Sequence, residues 1–401
     1  MKKISKSKVI RVDTREAKLK RQLRRHLAGL GFTRTTEGNL VAPGGGKQAV
    51  RDLHSAQRKE ILGSQKAFIE ENLPKFVQYF ASGVEVIPDR IEPVLELVEG
   101  AGWRAKLFRL ATMTWSVPVS AGFGRRLRFL IWDKSNNKLI GIMAIGDPVF
   151  NLGVRDQVIG WTGDDRRDRL VNIMDAYVLG ALPPYNRLLC GKLITCLLRS
   201  REVYKIFQKK YGKEQGIISG KSKRARLLAI TTTSSMGRSS IYNRLRLGGT
   251  SYFSSIGYSG GWGHFHVPDK LFTEMREFLR EKGSKYADLH AYGDGPNWRI
   301  RTIRDALSRL GFKGDLLKHG VKREVFISFL ADNASEILCG KRVAANFENL
   351  LTVKEISKLA LDRWVIPRAK NQKEYLDWNS CQIEELIFGK AVAQIPTLAK
   401  A

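Results

Sequence analysis

Acidic residues are scarce in this chain. Across 401 residues, 39 Asp and Glu stand against 69 Lys and Arg, a formal charge of +30 at pH 7. So large a surplus repels itself unless a polyanion neutralises it, and nucleic acid is the usual polyanion. An anionic membrane surface is the rival, but the sequence has no long uninterrupted apolar run and no lipidation motif. The segment Met1-Lys-Lys-Ile-Ser-Lys lacks the apolar core of a signal peptide, so a cytoplasmic protein without a membrane role is expected. The four cysteines (Cys190, Cys196, Cys339, Cys381) form no CxxC pair, which favours reduced, buried thiols. The glycine-lysine-serine run Gly220-Lys-Ser222 lacks the upstream glycine of a P-loop, and ATP binding is not expected. Internal repeats and low-complexity segments are also missing.

What is present suffices for a real core. Hydrophobic residues make up 43% of the chain, enough for two or three domains. Asp13 and Glu16 have the spacing of a capping box before a helix with Leu19, Leu23, Leu27 and Leu30 on one face. Further helices are expected from Lys47 to Leu73, stopped by Pro74, and from Ile91 to Val98. Leu127 to Trp132 and Leu139 to Ile145 read as strands joined by a tight turn at Asn136-Asn137. Short strands are expected at Val158 to Thr162 and Tyr177 to Leu182, with a helix opening at Asp164 or Asp165 between them. A long central helix should run from Leu188 to Tyr211, and a buried strand from Arg226 to Thr233. Ser239 to Leu245 has helical character, and Ser251 to Val267 is aromatic and Gly-rich, as in strands. Helices are then expected over Asp269 to Lys282, Asn297 to Leu310 and Glu324 to Ile337. The last stretch, with Arg363-Trp-Val-Ile-Pro-Arg368, reads as peripheral. The fold class is therefore α/β (α+β). Residues 111–282 form a central mixed sheet with helices, flanked by basic helical regions over 1–110 and 283–401.

Two loops in the central part stand out: Leu182-Pro-Pro-Tyr-Asn-Arg-Leu-Leu-Cys-Gly191 and Thr231-Thr-Thr-Ser-Ser-Met-Gly-Arg-Ser-Ser-Ile-Tyr-Asn-Arg244. Each follows a β-like run and opens a helical pattern. Helix-start N–H groups are free at such points and suit an anion. The order strand, long helix, strand, helix resembles the GNAT acyltransferase fold, in which the cofactor pyrophosphate sits where the long helix starts. That resemblance implies acetyl-CoA as a cofactor. The family pattern there is Gln or Arg, two residues, Gly, one residue, then Gly or Ala. Here Arg187 is followed by Cys190 and Lys192, with Gly191 displaced by one. Tyr242-Asn243 falls where that fold often carries an aromatic residue lying against the cofactor or acting as an acid.

Five motifs in order carry a second resemblance. Gly146-Asp-Pro-Val-Phe-Asn151, Arg155-Asp-Gln-Val-Ile-Gly-Trp161, Leu182-Pro-Pro-Tyr-Asn186, Ser239-Ser-Ile-Tyr-Asn-Arg244 and Gly261-Trp-Gly-His-Phe-His266 together resemble the DruA family of the Druantia anti-phage defence system. The resemblance implies a role in defence against phage beside other system proteins, including a large helicase-like subunit. It implies no particular reaction.

The candidate site residues follow from these readings. Tyr242 and Asp175 are the catalytic candidates; Tyr185, Asn186, Arg187, Gly191 and Asn243 form the candidate ligand loops. Lys18, Arg21, Arg24 and Arg25 on the first helix, with Arg125, Arg126, Arg238 and Arg244, are the candidate contacts to DNA or RNA. For the helix, an ordinary solvated face is the alternative, and the global charge favours phosphate. For Arg238 and Arg244, salt bridges to acids of the domain are an equal alternative. Asp147, Asp156 and Asp175 flank the central motifs, but they do not compose a tight metal-nuclease signature, and Asp147 before Pro148 suits a turn. His264 and His266 share a strand face at ligand spacing, yet Trp262 and Phe265 make a packed aromatic strand the simpler reading. Gly293-Asp-Gly-Pro-Asn-Trp-Arg299 reads as a turn before a helix. No metal is assigned. The leading expectation is a nucleic-acid-binding defence protein, the second a group transferase centred on Tyr242, and the third a nuclease.

Overall fold

A computed structural model describes residues 14–34, 36, 40–41, 47–119, 124–215, 222–260, 266–288, 298–312 and 322–388. The main strands are β1 (Pro93–Leu97), β2 (Arg126–Asp133), β3 (Lys138–Gly146), β4 (Ile173–Ala181), β5 (Ala229–Thr233), β6 (Ser254–Tyr258) and β7 (Glu324–Phe329). The helices are α1 (Arg15–Gly29), α2 (Lys47–Ser64), α3 (Lys66–Phe76), α4 (Trp103–Thr112), α5 (Gly153–Ile159), α6 (Gly163–Arg169), α7 (Cys190–Leu197), α8 (Arg201–Tyr211), α9 (Asp269–Glu281), α10 (Trp298–Arg309), α11 (Ala334–Leu338), α12 (Val353–Ala360), α13 (Ile366–Asn371) and α14 (Ile383–Phe388). The chain divides into two compact units, Met1–Ala56 with Trp262–Val321 and Gln57–Gly261 with Lys322–Ala401. Both are discontinuous in sequence.

In the first unit, α1 packs Leu19, Leu23 and Leu27 against Phe272, Met275 and Phe278 of α9 and Ile303 and Leu307 of α10. The spacing of four places these leucines on one face, and each buried side chain contributes about 1.5–3 kcal/mol. The cap differs from the expected Asp13–Glu16 box. Thr14 accepts the Ala17 N–H at 3.3 Å, while Glu16 pairs with Lys20 at 2.8 Å. Asp13 lies outside the described residues.

The second unit is built on a seven-stranded sheet in the order β1-β2-β3-β4-β5-β7-β6. Within it β4 and β5 pair in parallel and every other neighbouring pair is antiparallel. Strand β3 is buried almost from end to end, as expected of a strand covered on both faces. On one face α7, α8 and α12 cover Leu127, Phe129, Met143, Ile145 and Met174. On the other, α3, α4 and α14 cover Leu130, Ile142, Ala144 and Val178. Beyond β4 that same face is closed by Ile159 and Trp161 near α5 and by Ala334 and Leu338 of α11.

Several expectations are corrected. Pro93–Leu97 is a strand at the sheet edge, not part of a helix from Ile91 to Val98. Helix α3 includes Pro74 near its end, and the run from Lys47 breaks at Gln65 into α2 and α3. Val158 to Thr162 is the end of α5 and a left-handed turn at Gly160, not a strand. Glu324–Phe329 is an interior strand between β5 and β6, not the start of a helix. A continuous apolar run buried on both faces has no period that separates strand from helix. The central helix is two helices, because the Ser200 hydroxyl accepts the Val203 N–H and starts α8 afresh. Around Tyr242 there is only a single 3₁₀ turn, Tyr242–Arg244. Arg363 to Arg368 is not peripheral: Trp364 and Val365 are buried in the core under α7. No helix among the described residues is long and apolar enough to cross a membrane.

Candidate functional site

The parallel pair positions the site. Strands β4 and β5 run side by side only from Ile173 to Ala176 and from Ala229 to Thr232. Beyond that β4 continues to Ala181 beside β3, while β5 ends at Thr233 beside β7. The loop after β4 leads into α7, and the loop after β5 passes through Tyr242. The divergence of the strands thus lies next to a helix start, where the Cys190 and Lys192 N–H groups are taken by the Tyr185 and Leu189 carbonyls and that of Gly191 is left.

Leu189 enters α7 with φ of 62°, and the Cys190 N–H is taken by the Tyr185 carbonyl at 3.1 Å. Space remains in front of Gly191, where a Cβ would meet nothing within 4 Å. One residue on, the Lys192 ammonium lies 5.1 Å from the Trp364 ring. Burial lowers its pKa, and the charges of Arg244 and Arg363 lower it further. Arg363 is carried by a π-helical turn, Leu361–Val365, between α12 and α13. Lys192, Arg244 and Arg363 form no ion pair among the described residues. Three like charges at a helix start favour an anion there. Sequence reading found Arg244 but not Lys192 or Arg363, which only the fold brings together.

The rest of the first loop is occupied by the protein itself. Tyr185 is fully buried; its hydroxyl donates to Asp133 Oδ2 at 3.0 Å and accepts from Asn136 Nδ2 at 2.9 Å. It ties the loop to the β2–β3 turn, and burial first, then the Asp133 charge, drives its pKa far up. The Arg187 guanidinium donates to the Glu374 carbonyl and lies 5.7 Å from the Trp378 ring. Asn186 is exposed. Cys190 is buried, which pushes its thiol well above the ordinary range.

Asp175 and Tyr242 do not form a pair. Asp175 stands opposite Thr231 in the parallel ladder, and Ala176 opposite Thr232. Neighbouring strand residues point to opposite faces, so Asp175 and Thr231 share one face and Thr232 the other. On the first face the Thr231 hydroxyl donates to Asp175 Oδ1 at 2.7 Å. Burial pushes the Asp175 carboxyl up to about 6, against that hydrogen bond and the charge of Arg155. Arg155 is itself fully buried, held by Asp156 and the carbonyls of Val149 and Phe150. On the second face the Tyr242 ring packs on Phe326 at 5.1 Å and Phe253 at 5.8 Å. Burial raises its hydroxyl to about 12, opposed by a hydrogen bond with Thr232.

Asn243 is built into the scaffold. Its amide donates to the Ser239 carbonyl at 2.8 Å and to the Glu324 carboxylate. Glu324 also accepts from Ser239 N–H at 3.1 Å and Ser255 Oγ at 3.0 Å. Burial would raise this carboxyl, but those bonds and the Arg238 charge outweigh it and hold it below the usual range. Arg238 is exposed near this carboxylate.

Arg125 is committed elsewhere: it pairs with Asp147 at 2.7 Å, donates to the Val171 carbonyl and faces Phe207 at 5.5 Å. Arg126 projects to the opposite face, where its guanidinium lies 5.5 Å from the Tyr177 ring. In the first unit Lys18, Arg21, Arg24 and Arg25 are exposed along α1. His264 and most of Gly293 to Arg299 lie outside the described residues. Among those described, no three of His, Cys, Asp and Glu gather in a metal-binding group.

The architecture is that of an α/β protein on one mixed sheet, with a cationic helix start where its parallel strands separate. Residues 45–340 match the family described as DruA, Druantia protein DruA. The chain is 57% identical over 379 residues, 94% of each chain, to the Druantia protein DruA of Escherichia coli (strain UMEA 4076-1). It belongs to the DruA family. No solved structure matches it.

Proposed function

We propose that this chain is a nucleic-acid-binding component of a Druantia anti-phage defence system, working in the cytoplasm with other proteins of that system, a helicase-like subunit among them. The carrying observation is the trio Lys192, Arg244 and Arg363 at the start of α7, which forms no ion pair among the described residues, within a chain of charge +30. Three cations beside the Gly191 N–H at the start of α7 suit a phosphate, and the exposed bases of α1 supply further backbone contacts. DNA is the expected partner. Combined Lys192→Glu, Arg244→Glu and Arg363→Glu should weaken duplex binding and flatten its dependence on salt. Unchanged affinity in a fluorescence-anisotropy titration would move the interface away from α7. A parallel titration with RNA of the same length separates the two nucleic acids.

A second reading, a GNAT-like group transferase, draws support from the crossover of β4, α7, α8 and β5 around the parallel pair. The open space at Gly191 would lie beneath an acetyl-CoA pyrophosphate, with Tyr242 as acid. Calorimetry with acetyl-CoA is the direct trial, and absence of heat would end this reading.

A further inference from the structure

On the sheet face away from α7, the second unit contains a cavity of about 740 Å³ between β2 and β4 and the helices α2, α3 and α4. That lies within the range of small-molecule sites, roughly 300–1,000 Å³. Its floor is made by a specific arrangement of strands. Arg126 and Arg128 are two apart on β2 and point to the same face; Arg126 stands opposite Gly146 on β3. The ladder between β3 and β4 shifts register there: Ala144 faces Val178 and Ile145 faces Ala176, so Tyr177 is the extra residue. A bulge of this kind re-aims a side chain, and here it turns the Tyr177 ring into the cavity. Gly146 makes room for it, since a Cβ there would lie 3.1 Å from Tyr177 Cε1. Gly180 does the same for Trp115, whose Cζ2 would be 2.6 Å from an added Cβ.

The cavity wall is cationic and aromatic. Arg128 lies 5.8 Å from the Phe108 ring and Arg109 4.2 Å from the Phe68 ring, with Lys106 beside them. Among the described residues no carboxylate lines the cavity, and Lys106, Arg109, Arg126 and Arg128 form no ion pair. Arg126 Nη2 is buried and has no hydrogen-bond partner among the described residues. Buried donors are normally satisfied, so this one is open to an acceptor that a ligand could bring. A cationic or metal ligand would find no counter-charge here. The half-buried rings of Trp115 and Tyr177, beside guanidinium groups with no carboxylate partner among the described residues, instead fit a flat ring that carries an anion.

We propose that this cavity is a nucleotide-binding site, with the base against Trp115 and Tyr177 and the phosphate on Arg126 and Arg128. The site is separate from the cationic start of α7 and does not depend on duplex binding there. A free nucleotide and a nucleotide of a single strand share this chemistry, and the test distinguishes them. Calorimetry on the full chain would use AMP, adenosine, inorganic phosphate and a single-stranded pentanucleotide. AMP should bind at least about tenfold more tightly than adenosine or phosphate alone, each of which keeps one half of the recognition. Arg126→Met, which keeps the length and deletes the charge, should weaken AMP at least tenfold. Ala105→Trp fills the cavity from α4 without removing a contact, and should abolish binding even where Arg126→Met folds poorly. The Lys192, Arg244 and Arg363 variant should bind AMP normally, so loss of duplex binding and loss of this site are told apart. AMP binding without the pentanucleotide assigns a free nucleotide; tighter binding of the pentanucleotide assigns a strand. No heat from either, or AMP binding untouched by both Arg126→Met and Ala105→Trp, overturns the proposal.

Discussion

Asn243 Nδ2 lies 3.0 Å and 3.2 Å from the two carboxylate oxygens of Glu324, a residue on a strand added late in the chain. The contact fastens the loop after β5 to β7, and with it the position of Tyr242 and Arg244. Glu324 is only 4% exposed, so its carboxylate depends on these donors in place of water.

A pH dependence follows from this clamp. The Glu324 pKa is lowered in the folded chain, so its stabilisation is present above the ordinary value of 4.5 and is lost as pH falls through the folded value. Glu324→Gln should therefore be destabilised at pH 7 by about 1–3 kcal/mol, the cost of a disrupted buried charge-assisted network. The deficit should shrink in thermal melts below pH 4. A constant deficit from pH 3 to 8 would show that the charge of Glu324 is irrelevant to the clamp.

Asp175 has the opposite sign. Its unfolded carboxyl ionises near 3.9, whereas the folded one holds its proton until about 6. The folded state binds more protons between those values, so stability falls as pH rises through that window and stays reduced above it. Asp175→Asn copies the protonated acid and keeps an acceptor for the Thr231 hydroxyl. Relative to the wild type it should gain up to ~3 kcal/mol at pH 8, with the gap closing near pH 4. Denaturant titrations at both pH values check this; a variant less stable than wild type at pH 8 would show that the carboxylate form is the one the fold needs.

The interface prediction separates two basic surfaces. Neutralising six to ten phosphates costs roughly 10³–10⁵ in affinity between about 50 and 200 mM salt. Charge reversal of Arg21, Arg24 and Arg25 should reduce the salt slope by about 0.9 per lost phosphate contact. All three are exposed on α1 and outside its leucine face, so the fold should survive. An unchanged slope with intact melting would assign α1 to a solvated face, and leave the α7 cations as the surface to pursue.

How far the sequence announces this architecture depends on the range of each interaction. Strands β2 and β3 were legible because apolar runs flank a turn whose Asn137 takes a φ of 59°. Helix α1 was legible from four leucines at helical spacing. The interior strand β7 was not: Glu324–Phe329 is followed by more apolar residues, and its strand state is imposed by β5 and β6 on either side. Lys192, Arg244 and Arg363 form the site's cationic rim from segments far apart in the chain, and nothing local to Lys192 signals the other two. The bulge at Tyr177 is equally silent, because it exists only in the pairing of β3 with β4. Tyr185 shows the converse: it sits in a loop that looked ligand-facing, yet its partner Asp133 turns it into a structural pin.

Tyr242 is where the structure sharpens the choice between catalysis and packing. Its ring lies between Phe253 and Phe326, an arrangement that buries apolar area whatever the hydroxyl does. The hydroxyl bonds with Thr232, and burial raises its pKa to about 12, which suits a proton donor and not a base at neutral pH. Tyr242→Phe retains both ring contacts and removes only the hydroxyl, a loss of about 1 kcal/mol for one hydrogen bond. A transferase using Tyr242 as acid should then lose phage protection by about 10²–10⁴ in rate-limited terms, with its melting temperature within a few degrees of wild type. Tyr242→Ala, by contrast, deletes the ring and should cost about 3–5 kcal/mol as core truncations of aromatics do. Protection equal to wild type in Tyr242→Phe, with failure only in Tyr242→Ala, would make Tyr242 a packing residue. The transferase reading would then be left without an acid, because Asp175 points to the other face of the sheet.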